Sequence, residues 1–162
     1  STTPLVLDAD ALNCVAKQPE ILLRKKSPII ITPHPGEMSR LTGLATPLVN
    51  AERERVALDF AQKYGVVTVL KGAGTVIASP NGKVLVNPTG NSGMATGGSG
   101  DVLAGMTASI LAQGASAFSS AAAAVYLHGL AGDIAAEKYG KISMLPTDLI
   151  NCIPLAYKRC GF

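Results

Sequence analysis

Val66-Val67-Thr68-Val69-Leu70 is an almost unbroken apolar run, and a strand of that kind needs cover on both of its faces. The rest of the chain supplies material for such a sheet. Pro4 to Leu7 and Pro28 to Thr32 read as two further buried strands. Thr75 to Ser79 and Lys83 to Asn87 flank Pro80-Asn81-Gly82, a strong hairpin signal. Helical periodicity falls at Glu37 to Leu41 and at Asn50 to Tyr64, where Gly65 provides the stop. Three more helices are predicted at about Asp101 to Ala112, Ala115 to Tyr139 and Thr147 to Tyr157. Strands alternating with helices in this way specify an α/β fold with a mostly parallel central sheet.

At 162 residues, 48% of them hydrophobic and 15% charged, the chain can bury one substantial core, so a single domain over residues 1–162 is expected. The net charge is +3, but the basic residues are scattered apart from Arg24-Lys25-Lys26, and only 4% of residues are aromatic. A nucleic-acid surface calls for a clustered basic face or stacking rings, so no nucleic-acid partner is expected. The apolar stretches are interrupted by Gly, Ser, His or Asp, which predicts no membrane span. Cys14, Cys152 and Cys160 lack CxxC spacing and are odd in number, which suggests neither a disulfide framework nor a zinc site. A reducing, cytoplasmic compartment fits that usage.

Chemistry concentrates where elements change. The strands are followed by Asp8-Ala9-Asp10-Ala11-Leu12-Asn13, by Pro33-His34-Pro35-Gly36-Glu37 and by Lys71-Gly72-Ala73-Gly74-Thr75. Ligands in open α/β sheets sit beyond the carboxyl ends of strands, so these clusters can line one crevice. A fourth segment, Gly93-Met94-Ala95-Thr96-Gly97-Gly98-Ser99-Gly100-Asp101, packs four glycines, two hydroxyl residues and one acid into a turn that opens a helix. Backbone N–H groups and the helix dipole there favour an anion such as a phosphate. A carboxylate would repel that anion, so Asp101 is better aimed at a hydroxyl or proton of a second reactant. The arrangement points to phosphoryl transfer. It is not a P-loop, because no Gly-Lys-Ser/Thr follows the glycines. The plainer account of the same residues is a flexible loop with Ser99 as N-cap and Asp101 as a first-turn acid.

Leu7 to Asn13, Ile31 to Met38, Leu70 to Thr75 and Gly97 to Gly105 resemble, in order, the motifs of the ADP- or ATP-dependent NAD(P)H-hydrate dehydratases, ribokinase-like enzymes of nicotinamide nucleotide repair. The resemblance implies a three-layer α/β/α fold and dehydration of hydrated NADH or NADPH. In that chemistry the added hydroxyl is phosphorylated, phosphate leaves, and the dihydronicotinamide ring is restored. It implies Asp101 as the base on that hydroxyl, with the amides of Gly98, Ser99 and Gly100 around the phosphoryl group. Lys71, Gly72, Ala73, Gly74 and Thr75 match the segment that holds the adenine nucleotide, and His34 matches a residue on the hydrated dinucleotide. Asn91 matches a position close to both ligands, and Glu37 resembles the acid placed near Mg2+.

Each of these has an ordinary structural alternative: a turn for His34 and Asn91, a bend for 71–75, a first-turn acid for Glu37. Asp8, Asp10 and Asn13 can orient substrate or serve as caps. His128, inside Tyr126-Leu127-His128-Gly129, reads as a structural histidine. Members of the family carry an N-terminal half of the same domain that this sequence lacks, so an incomplete domain is expected, which would pair with that segment or with another copy as a homo-oligomer. Two other functions stay open: a ribokinase-like kinase of a small vitamin-precursor alcohol, against which His34 stands, and an inactive nucleotide-binding fragment.

Overall fold

The computed structural model describes residues 2–162. Five short strands, β1 (Leu5–Leu7), β2 (Ile29–Ile31), β3 (Val67–Leu70), β4 (Val76–Ala78) and β5 (Val84–Val86), lie side by side in the order of the sequence. β1 pairs with β2 and β2 with β3 in parallel, in the register Leu5 to Ile29 and Ile31 to Thr68. β4 and β5 extend the sheet as an antiparallel hairpin, closed by a turn in which Gly82 takes φ +87°.

Side chains leave the strands alternately to two cores. Ile30, Val67, Val69 and Ile77 face the layer of α5 (Ser99–Ala112), α6 (Ala117–Tyr139) and α7 (Pro146–Arg159). Ile29, Ile31, Leu70, Val76 and Ala78 face the other layer, with Met38 and Leu41 of α2 (Pro35–Thr42) and Val56 and Phe60 of α4 (Arg53–Tyr64). Val67 through Leu70 are all buried, as the apolar run requires of a strand covered twice. The result is three layers, helix on sheet on helix.

Several boundaries differ from the sequence reading, each for a local reason. Residues 10–16 form a short helix, α1, of which only Leu12 is buried, so no apolar period betrays it. α2 begins at Pro35 rather than Glu37, because a proline fits the first helical position and the His34 ring caps the amides behind it. The helix predicted from Asn50 to Tyr64 is two, α3 (Thr46–Ala51) and α4, because Glu52 leaves helical geometry at φ −126°, ψ 42°. Gly65 then ends α4 in the left-handed conformation. α5 begins at Ser99 with Gly98 as its N-cap, so Ser99 lies inside the helix and is not the cap.

β1 and β5 are the sheet's two edges, and both leave apolar side chains in the open: Leu5 at 38% and Val86 at 50% exposure. No helix among the described residues is long and apolar enough to cross a membrane.

Candidate functional site

Both parallel crossovers place strand carboxyl ends at one end of the sheet, and there the sequence's clusters meet. Lys71, just past β3, puts its Nζ 2.7 Å from Oδ1 of Asp8, just past β1. The same Nζ is 3.8 Å from Oε2 of Glu37. A side chain on Gly100 would come within 3.3 Å of that Nζ and 3.8 Å of Asp8 Oδ2, so the glycine turn ahead of α5 lies against the same group. Asp8, Glu37, Lys71 and the turn therefore form one site, with the polar groups of one lysine and two carboxylates largely buried. Ala9, beside Asp8, holds φ +48°, a conformation that costs a non-glycine residue on the order of 1–3 kcal/mol and that clusters at functional sites.

His34 and Glu37 are locked together. His34 Nδ1 accepts from the amides of Gly36 at 3.0 Å and Glu37 at 3.3 Å, while Glu37 Oε2 accepts from the His34 amide at 2.7 Å. This is a reciprocal cap with an imidazole in the usual serine or threonine place. It requires Nδ1 to be the bare nitrogen, so the ring proton sits on Nε2, which faces Glu37 Oε1 at 3.5 Å. The His34 ring is half exposed, whereas the Glu37 carboxylate is buried, with Oε2 accepting from the His34 amide and Oε1 3.5 Å from Nε2. A carboxylate so engaged makes a poor ligand for a cation, and among the described residues no three His, Cys, Asp or Glu side chains converge to hold a metal.

The glycine turn is fixed from behind by α6. His128 Nε2 lies 2.9 Å from the Ser99 carbonyl and 3.4 Å from its hydroxyl. His128 is therefore a satisfied structural histidine, and burial pulls its pKa down to about 4. One helical turn on, Asp133 accepts from the Gly90 amide and from Asn91 Nδ2, both at 2.9 Å. Asn91 Nδ2 also donates to the Gly132 carbonyl, and its Oδ1 accepts from the Gly93 amide. The Asn91 side chain is thus committed to holding its own loop. Gly129 and Gly132 let that loop sit directly on the helix: a Cβ on Gly129 would overlap the Thr89 hydroxyl, and one on Gly132 would overlap Met94.

Asp101 stands apart from these networks. It lies exposed in the first turn of α5, and no hydrogen bond or ion pair engages its carboxylate among the described residues. An uncommitted acid next to an amide-lined turn is equipped to take a proton from a ligand held there. Gly72, Ala73 and Gly74 are also exposed, with the Thr75 hydroxyl bonded back to the Gly72 carbonyl at 3.0 Å. Two residues that the sequence reading passed over belong to the site's frame. Asp133 carries a faint signal in its position straight after Gly129-Leu130-Ala131-Gly132; Arg53, whose Nη2 donates to the Leu70 carbonyl at 2.8 Å, carries none.

This geometry coincides with a match of residues 1–155 to the NAD(P)H-hydrate dehydratase family model. The chain belongs to the NAD(P)H-hydrate dehydratase family. It is 47% identical over 156 residues to the bifunctional NAD(P)H-hydrate repair enzyme Nnr of Moorella thermoacetica, covering 96% of this chain and 29% of that protein. Among solved structures it is similar to the ADP/ATP-dependent NAD(P)H-hydrate dehydratase of Bacillus subtilis, co-crystallized with ATP and Mg2+. That match has 37% identity and a TM-score of 0.89, and it covers 98% of this chain and 56% of that one. A ribokinase-like superfamily protein of Enterococcus faecalis matches with 32% identity and a TM-score of 0.79 over 95% of this chain and 52% of its own. The fold is thus ribokinase-like, and the chain spans about a third to a half of the length of such relatives.

Proposed function

We propose that this chain carries the phosphoryl-transfer wall of an ADP- or ATP-dependent NAD(P)H-hydrate dehydratase. The observation that carries the reading is the free Asp101 carboxylate, one residue beyond an amide turn that itself lies against Lys71 and Asp8. The amides of Gly98, Ser99 and Gly100 hold the terminal phosphoryl group of an adenine nucleotide lying along Lys71 to Thr75. Asp101 takes the proton of the hydrate's hydroxyl as that oxygen bonds to phosphorus and the nucleotide's own bridging oxygen leaves. Phosphate then departs from its carbon with the C–O electron pair, the neighbouring ring carbon loses a proton to solvent, and the C–C double bond of the dihydronicotinamide is restored. A loose phosphoryl transition state needs positioning and charge stabilisation above all, which a preformed amide turn beside an orienting carboxylate supplies.

The His34 ring, half exposed at the same end of the sheet, meets the dinucleotide with its open face. Asn91 acts on the site through the loop it ties down. Mg2+ would arrive on the nucleotide's phosphates, since Glu37 is engaged by its own helix and such ions are commonly held by phosphates with few protein ligands. Family membership favours the dehydratase over a kinase of a vitamin-precursor alcohol.

The test is the return of dihydronicotinamide absorbance when the chain is given hydrated NADH, Mg2+ and either ADP or ATP. Recovery with one nucleotide is the expected outcome and names the phosphoryl donor. Nucleotide binding with no recovery would overturn the reading for this chain.

A further inference from the structure

Arg53 is badly placed for a cation that has no carboxylate counter-ion among the described residues. It opens α4, where the positive end of the helix dipole disfavours positive charge. Its guanidinium is half-buried, and that burial lowers its pKa, the mark of a charge stripped of water without compensation. Nη2 reaches the Leu70 carbonyl, but the buried Nε has no hydrogen-bond partner. No carboxylate pairs with it among the described residues, in contrast to Lys71, which has Asp8 and Glu37. The guanidinium also lies directly against the exposed Gly72: a Cβ there would stand 2.9 Å from Nη1 and 3.0 Å from Nη2. A glycine at that point, at φ +145°, leaves the guanidinium and the loop's outer face separated by no side chain.

We propose that Arg53 is a nucleotide-binding residue, the cation that receives a phosphate of the adenine nucleotide on the Lys71 to Thr75 loop. The proposal rests on the nucleotide reading above. A planar guanidinium presents paired donors matched to phosphate oxygens, and an anion on the Nη1 and Nη2 side relieves both the unpaired charge and the dipole conflict. Lys71 cannot do this as well, because its charge is already balanced by two carboxylates.

The experiment is calorimetric titration of the full chain, native and with Arg53→Gln or Arg53→Lys, against ADP, AMP and adenosine, with thermal unfolding as the check on folding. Arg53→Gln is expected to weaken ADP about tenfold, the scale of a hydrogen bond to a charged group, and to leave adenosine unchanged. Arg53→Lys, which keeps the charge, should recover part of that loss. An equal loss for adenosine and ADP would overturn the proposal, since Arg53 would then act only by shaping the loop through Leu70. Unchanged ADP affinity in both folded variants would overturn it too, while leaving the nucleotide reading intact. Native protein that binds neither ADP nor, in the same titration, ATP would sink both. ADP binding that depends on Arg53 without any dehydration would support the proposal and count against the proposed reaction.

Discussion

Loop 87–98, which leads into the first turn of α5, and loop 71–75 are both rich in glycine and come together where Gly100 of that turn approaches Lys71, yet they are held by opposite means. The longer loop is bolted to α6 by neutral hydrogen bonds, by close packing on Gly129 and Gly132, and by Asp133 at two points. Its amides are thereby fixed before any ligand arrives, which spares binding the cost of ordering them. The shorter loop is held by charge: Lys71 to Asp8 and Glu37 on one side, the Arg53 guanidinium on the other. Rigid amides suit a transferring group whose position decides the rate, whereas unspent charge suits a nucleotide's phosphates. Within one site, the chain separates positioning from charge.

The largest effect should come from Asp101, an acid beside the glycine turn that neither network uses. Asp101→Ala removes the proposed general base while leaving both loops' supports untouched, so turnover of hydrated NADH should fall about 10²–10⁴-fold. Nucleotide affinity by calorimetry should stay within about twofold, or rise slightly as a negative charge leaves the neighbourhood of the phosphates. Near-normal turnover would break the division of labour, by showing that positioning alone suffices.

The bolt itself should respond to acid. His128 titrates near its ordinary value of 6.5 in the unfolded chain but only at about 4 when folded. Between those values the unfolded chain binds the extra proton, so the folded state loses stability as pH falls from about 6.5 to 4, by about 3 kcal/mol in all. Above 6.5 the group contributes nothing further to the slope. Urea unfolding of native protein and His128→Gln at pH 7 and pH 4.5 should show the native chain losing more stability than the variant. Parallel losses in the two would mean that the ring does not stay neutral against Ser99.

What the sequence displayed and what it hid follow the same division. The both-faced strand at 66–70, the hairpin around Gly82 and the strand-end clusters were legible, because burial and turns demand particular residue types locally. The convergence of Asp8, Lys71 and Gly100 was legible in outline, since parallel strands deliver their carboxyl ends together. The break at Glu52, which sets Arg53 at a helix start, was not, because a polar residue that leaves helical geometry looks like any other in an amphipathic pattern. Nor was the commitment of Asn91 to Asp133, 42 residues away, where neither residue type announces its partner. Glu37 reads as a first-turn acid or a metal neighbour; its cap with His34 depends on a ring standing where a hydroxyl usually stands, a choice visible only in the fold.

The smallest effects separate the glycines that the bolt needs from those it does not. In an exposed helix, glycine to alanine gains up to about 1 kcal/mol from propensity alone. At Gly129 the added methyl would overlap the Thr89 hydroxyl and lie 2.8 Å from its backbone carbonyl carbon, so the loop must lift from α6. Overpacking of this kind costs about 1–3 kcal/mol, enough to reverse the propensity gain and lower Tm by several degrees. Gly97 is exposed, has no atom within 4 Å of its added Cβ and no left-handed φ, so Gly97→Ala should move stability by no more than about 0.5 kcal/mol. Paired thermal melts of the two variants decide the matter. Equal and negligible shifts would show that loop 87–98 is not seated on α6 in solution, and the contrast with loop 71–75 would lose its rigid half.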